Sequence, residues 1–220
     1  MLTLTSRLYG YWKRETKMAE NKKYELTNET KKCGAYILHR IRALKDFGTV
    51  KAGELGGWVE SERNLSQDRN CWIYDDATVR GYAAVYDNAT VRGYATVYDN
   101  ATVRGYATVC GYATVCGYAT VRDCAGICNS ATIGGYATVC RNTDYAFVQG
   151  FGRAQRATTF YRLKDGDIGV DCGCFHGTIK QFRDKVKETH GDSKYAKEYL
   201  MLADLMELHF GEETKEENKI

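Results

Sequence analysis

Cys172-Gly173-Cys174-Phe175-His176 is the one compact run of metal-ligating residue types in this chain. Side chains alternate faces along a strand, so an extended C-x-C-x-H run would put all three ligands on one side and could begin a zinc site. A fourth ligand would have to come from afar, from His190 or Cys33. The spacing is not the C-x2-C of common zinc modules, and no second pair accompanies it. The expectation is therefore no metal and no cofactor, with thiols packed as small side chains. The remaining histidines are His39 and His209, and none of the four lies between Cys71 and Tyr145. That leaves arginines and tyrosines. Arg80, Arg92, Arg104 and Arg122 are interleaved with Tyr86, Tyr94, Tyr98, Tyr112, Tyr118 and Tyr136. Arginine and tyrosine are the residue types favoured at protein interfaces, so these ten form the expected binding face.

What positions them is a repeat. An aliphatic residue recurs every six positions at Ile73, Val79, Val85 and onward to Val139, and a small residue sits two places before each, from Cys71 and Ala77 to Ala137. Residues two apart on a strand share a face, so the Ala-x-Val pair points inward while the Thr between and the Arg, Tyr or Cys after point out. The other two residues of each hexad, Gly-Tyr or Asp-Asn, are turn chemistry. Each hexad is one short strand and one corner, and it can bury its apolar face only by stacking on other coils.

The xxATVx hexads resemble the hexapeptide-repeat family, which implies a left-handed parallel β-helix with triangular coils of about 18 residues. The outward Arg, Tyr or Cys departs from that family's motif, and a right-handed solenoid of the bactofilin type is the structural rival. With about 18 residues per coil, outward columns run Tyr74-Arg92-Cys110-Cys128, Arg80-Tyr98-Cys116-Gly134 and Tyr86-Arg104-Arg122-Cys140. The same register places Tyr94 over Tyr112 and Tyr118 over Tyr136, and allows arginine to stack on tyrosine. Acyl transfer in the resembled family uses a histidine base beside the prism, and its carbonic anhydrases use three zinc-bound histidines. Without a histidine in the repeat the expectation is a protein that is not an enzyme, acyl transfer being the alternative.

The flanks read as caps, needed because a bare solenoid end is an unpaired strand edge. The expected order is a flexible leader over 1–22, an N-terminal β cap over 23–66, the β-helix over 67–145, a C-terminal cap over 146–210 and a disordered tail over 211–220. Met18 is an alternative start. In the C-terminal cap a hairpin should turn at Asp165-Gly166, followed by two helices. Thr178 should cap the first helix, which buries Ile179, Phe182 and Val186. Asp192 or Ser193 should cap the second, which directs Tyr199, Leu202, Leu205, Met206 and His209 to the core. Beyond Val139 the hexad spacing fades into an expected closing coil at Tyr145.

Charge is close to balanced, 31 basic against 28 acidic residues, and the five arginines of the repeat (the fifth is Arg141) face five aspartates. Direct nucleic-acid binding needs a basic stripe and is not expected. No run approaches a membrane span and no apolar leader core is seen, so the expected location is cytoplasmic, with no membrane partner. Nine cysteines, an odd number, suggest reduced thiols there, with no disulfide expected between Cys110 and Cys128. KYELTNET, IRALKDFGTVKAGELGGWVESERNLS, the hexads and GCFHGTIKQFRDKVKETHGDSKYAKEY together resemble phage- and prophage-encoded accessory proteins of gut bacteria. That resemblance implies a bacterial host cytoplasm and a host protein or protein–nucleic-acid complex as partner, a defence nuclease among them. A homo-oligomer or filament of stacked prisms is the other class of function.

Overall fold

The computed structural model describes residues 22–211, so the expectations for the leader up to residue 21 and for the tail from residue 212 lie outside it. Its centre is a parallel β-solenoid of about five turns. Twelve two-residue strands, β4 (Trp72–Ile73) to β15 (Thr138–Val139), start every six residues and build three sheets. Successive coils are offset by 18 residues: Thr78 pairs in parallel with Thr96, Thr96 with Thr114, and Thr114 with Thr132. The inward residues are all but sealed, each Ala and aliphatic side chain from Cys71 to Val139 being at most 1% exposed except Ala84, which points outward. A Val–Ala column this uniform keeps the coil cross-section constant, so each coil superposes on the next at strand spacing.

Corners take the left-handed backbone that the hexad requires. Gly81, Gly93, Gly105, Gly111 and Gly117 have positive φ, and where glycine is missing Asp75, Asp87, Asp99, Asp123 or Asn129 takes its place at φ 54–62°. The aspartates serve a second purpose. Asp75 Oδ2 accepts the Gly93 N–H at 2.9 Å and Asp99 Oδ2 accepts the Gly117 N–H at 3.2 Å, each tying one coil's corner to the next.

At the N-terminal end, β1 (Tyr24–Cys33) and β2 (Tyr36–Ala43) form an antiparallel hairpin, and β2 pairs with β3 (Leu55–Val59). β3 then pairs in parallel with Thr78–Val79, and Leu65 bridges Val85, so stacking starts before the first clean hexad. Trp72 is fully buried in this cap against the edges of Tyr24 and Phe47. Lys23 is buried too, its Nζ donating to Cys71 O at 2.9 Å, Cys71 Sγ at 3.3 Å and Asp68 O at 3.3 Å. Burial holds its pKa below the lysine range.

The C-terminal end is closed by side chains that stand in for the missing next strand. Asn142 Oδ1 accepts the Gly126 N–H at 2.8 Å, Thr159 Oγ1 the Thr132 N–H at 3.0 Å, and Asp144 Oδ2 the Cys140 N–H at 2.9 Å. Tyr145 does not continue a closing coil. It opens β16 (Tyr145–Val148), the edge of an antiparallel sheet with β17 (Thr158–Arg162), β18 (Ile168–Cys172) and β19 (Phe175–Thr178). The hairpin between β17 and β18 turns at Asp165-Gly166 as expected, with Gly166 at φ 92°.

α1 (Ile179–His190) and α2 (Lys194–Phe210) cover this sheet. Thr178 caps α1 in a reciprocal pair with Gln181, and Ser193 caps α2. Ile179, Phe182, Val186, Tyr199, Leu202 and Met206 are buried as expected. Leu205 and His209 are not. Both are exposed, because Ala203 and Phe210 take the inward positions and rotate the buried stripe of α2 away from them. No helix among the described residues is long and apolar enough to cross a membrane.

Candidate functional site

The corners carry the expected tyrosine columns. Tyr94 stacks on Tyr112 at 5.2 Å and 7° between planes, and Tyr118 on Tyr136 at 5.1 Å and 6°. Tyr94, Tyr106, Tyr112, Tyr118 and Tyr136 each expose more than half their surface, as does Tyr82 at 72%. Tyr112 and Tyr118 flank the Thr114–Val115 strand in sequence, so their columns border one face of the prism. That face displays Thr78, Thr96, Thr114 and Thr132 in a row, with Thr78 Oγ1 donating to Thr96 Oγ1 at 3.2 Å.

Arg80 lies between two rings, 4.4 Å from the Tyr98 centroid and 4.8 Å from that of Tyr36, which fixes it as packing more than as a free contact. Tyr98 is half-buried, and desolvation, with the neighbouring Cys116 and despite Arg80, raises its pKa to about 12. Arg92 and Arg104 are exposed, while Arg122 pairs with Asp123 at 2.7 Å and Tyr86 is 40% exposed. The expected face thus divides into stacked tyrosines, one sandwiched arginine and two solvated ones.

The cysteines depart from expectation in one place. Cys110 and Cys128, neighbours in adjacent coils with Cα atoms 4.7 Å apart, form a disulfide where reduced thiols were expected. Eighteen residues of sequence separation equal one coil, so the fold itself brings the pair into bonding range.

The Cys172–His176 run is not an extended strand. Gly173 has φ 64° and turns the chain, so Cys172 ends β18, exposed Cys174 lies in the turn and His176 returns on β19. The one-sided C-x-C-x-H arrangement does not form, and no metal-holding group of His, Cys, Asp and Glu occurs among the described residues. Cys172 instead accepts a hydrogen bond from Thr158 Oγ1 at 3.1 Å.

That reversal assembles something the sequence pattern does not announce. Antiparallel register pairs Asp171 with His176, and His176 Nδ1 is in close hydrogen-bond contact with Asp171 Oδ1. The other oxygen of Asp171 accepts the Tyr161 hydroxyl at 2.5 Å. Gly169 makes the room: a β-carbon there would meet the Tyr161 ring at 2.2 Å. Burial first, and Asp171 second, hold the Tyr161 hydroxyl protonated well above the usual tyrosine range. Asp171 is buried while the His176 ring is 64% exposed, and His176 lines a cavity of about 670 Å3 with Tyr136, Leu163, Lys164 and Gln181. A carboxylate on Nδ1 fixes the imidazole's orientation and leaves Nε2 without that partner, the geometry of a general acid–base pair.

No family model matches the chain. Part of it is similar to the uncharacterized acetyltransferase YdcK of Escherichia coli (strain K12), 45% identical over 49 residues, which is 22% of this chain and 15% of that protein. The matched stretch is a short portion of that relative's length.

Proposed function

We propose that the protein is a non-enzymatic binding scaffold whose tyrosine-bordered face engages another macromolecule. The observation that carries this reading is the pair of exposed tyrosine stacks held in register by the coil. The stacks steady one coil on the next, and their outer ring surfaces still stand in water, where rigid tyrosines offer a partner contact area at little entropic cost. The resemblance to phage accessory proteins extends the proposal to a host protein or protein–nucleic-acid complex in a bacterial cytoplasm, with a defence nuclease as one such partner. The test is capture from bacterial lysate by the immobilised chain, followed by titration of the identified partner. Wild type should bind saturably, and the quadruple variant Tyr94→Ser, Tyr112→Ser, Tyr118→Ser, Tyr136→Ser should lose at least tenfold in affinity with an unchanged circular dichroism spectrum. Equal binding by the two, or no saturable partner, removes the reading.

A second reading has its own observation. His176, held by Asp171 and lining a cavity, is the candidate for the base that acyl transfer would require, and the partial relative is called an acetyltransferase. Thiol release from acetyl-CoA with small amines or alcohols as acceptors would be expected to fall at least a hundredfold in His176→Ala. No turnover in the wild type ends this second reading.

A further inference from the structure

A second cavity, of about 500 Å3, lies under the loop that joins β16 to β17, on residues that neither reading above uses. Its floor is a run of rings. Phe175 packs against Phe182 at 5.5 Å, Phe182 against Tyr199 at 5.6 Å, and Tyr199 against His190 at 5.8 Å. Its rim is basic: Arg153, Arg156 and Lys185 line it, and no aspartate or glutamate does.

The loop is pinned in place. Gly152 N–H donates to Glu198 Oε2 at 2.8 Å, the Tyr199 hydroxyl donates to Phe151 O at 3.4 Å, and a β-carbon at Gly152 would strike the Tyr199 ring at 2.2 Å. The next residue, Arg153, is thereby set at the rim. Arg156 crosses Gly173, where a β-carbon would meet its Nη1 at 2.6 Å, so that glycine is what lets the guanidinium lie over the turn. Lys185 is paired with Glu188 at 3.0 Å and Glu198 with Lys194 at 3.6 Å, whereas neither Arg153 nor Arg156 forms an ion pair among the described residues. Both guanidiniums are thus free to engage an anion above the aromatic floor, with no carboxylate to displace first.

We propose that this cavity binds a planar aromatic ring bearing a phosphate, a nucleoside monophosphate being the class that fits. The ring lies against Phe175, which is only partly buried and is backed by the buried Phe182 and Tyr199, and the phosphate is held by Arg153 and Arg156 in the fork geometry that guanidinium offers to phosphate. The cavity volume is that of sites which enclose a small ligand.

Isothermal titration with AMP, GMP, CMP and UMP tests this, with adenosine and inorganic phosphate as controls. At least one mononucleotide should bind at sub-millimolar Kd, weaken with added salt, and bind about tenfold or more tighter than either control. Arg153→Ala with Arg156→Ala should lower that affinity by about tenfold or more without changing the melting temperature, since both side chains are exposed. A conservative pair, Arg153→Lys with Arg156→Lys, should recover part of it. No mononucleotide binding, phosphate binding as tightly as the mononucleotide, or binding indifferent to the double substitution would each overturn the proposal. None of these outcomes depends on the tyrosine face or on His176.

Discussion

A β-carbon at Gly105 would lie 2.8 Å from the backbone nitrogen of Asp123 in the next coil, and Gly105 already has φ 71°. Both a left-handed backbone and a tight coil-to-coil approach therefore exclude a side chain there. Gly105→Ala should cost roughly 2 kcal/mol in urea unfolding, with the strain of positive φ and a backbone shift both contributing. Gly135 has a similar φ of 56° but nothing within reach of a β-carbon, so Gly135→Ala should cost about 1 kcal/mol, from backbone strain alone. Equal losses at the two sites would mean that coil spacing relaxes to admit the methyl.

Tyrosine ionisation makes a further residue-scale prediction. Tyr98 has its pKa raised to about 12 from the ordinary 10.0, so the folded state keeps a proton that the unfolded chain gives up. Its contribution is fully present below pH 10 and is lost as pH rises through about 12. Stability measured between pH 9 and 12 should therefore fall, and Tyr98→Phe should flatten part of that fall. Tyr24, Tyr161 and Tyr199, whose pKa values are likewise raised mainly by burial, add to the fall.

Among the elements, the solenoid was legible in the sequence because its signal is periodic and local. Ala, Val and Gly repeat at fixed offsets, so stacking of Tyr94 on Tyr112 followed from arithmetic on residue numbers. In the caps the local features were legible, the turn at Asp165-Gly166 and the Thr178 and Ser193 helix caps among them, but not how the caps join the rod. Nothing periodic tells that Asn142, Thr159 and Asp144 will substitute for a strand, because that depends on where a non-repeating chain returns. The same holds for Asp171 and Tyr161, which antiparallel register brings to His176 from β17 and β18. Cys172–His176 departs from an extended run because Gly173, at positive φ, turns the chain, just as the inward placement of Ala203 and Phe210 turns Leu205 and His209 outward. Lys23 is the cap's most exacting residue, since its ammonium serves several acceptors inside the N-terminal cluster. Lys23→Met keeps the apolar stem and removes the donors, leaving buried carbonyls without partners. The expected cost is about 2–3 kcal/mol by denaturant titration, and a neutral result would mean that water enters to replace the ammonium.

Taken together, the described residues form a rod with a cap at each end and a decorated side. A parallel solenoid without caps presents three open strand edges at each end, and identical edges pair with one another. Here the N-terminal edges of two sheets meet β3 and Leu65, while the C-terminal edges meet side-chain acceptors and an antiparallel sheet. A head-to-tail contact would have to displace the cap at each of the two meeting ends, whereas side-by-side association through the tyrosine face would leave both caps in place. The two routes separate experimentally. Substituting Asn142→Leu and Thr159→Val removes two capping acceptors and leaves the Gly126 and Thr132 N–H groups unpaired at the last coil. Light scattering of that double variant should show association through the loosened C-terminal end that stops at a dimer, because the N-terminal cap still blocks further stacking, whereas the wild-type chain should keep one fixed size. Should the wild type itself grow without limit, the caps do not close the rod in solution. If instead it forms a closed dimer that the quadruple tyrosine variant abolishes, the tyrosine face pairs two copies of this chain, and the partner of the scaffold is the chain itself.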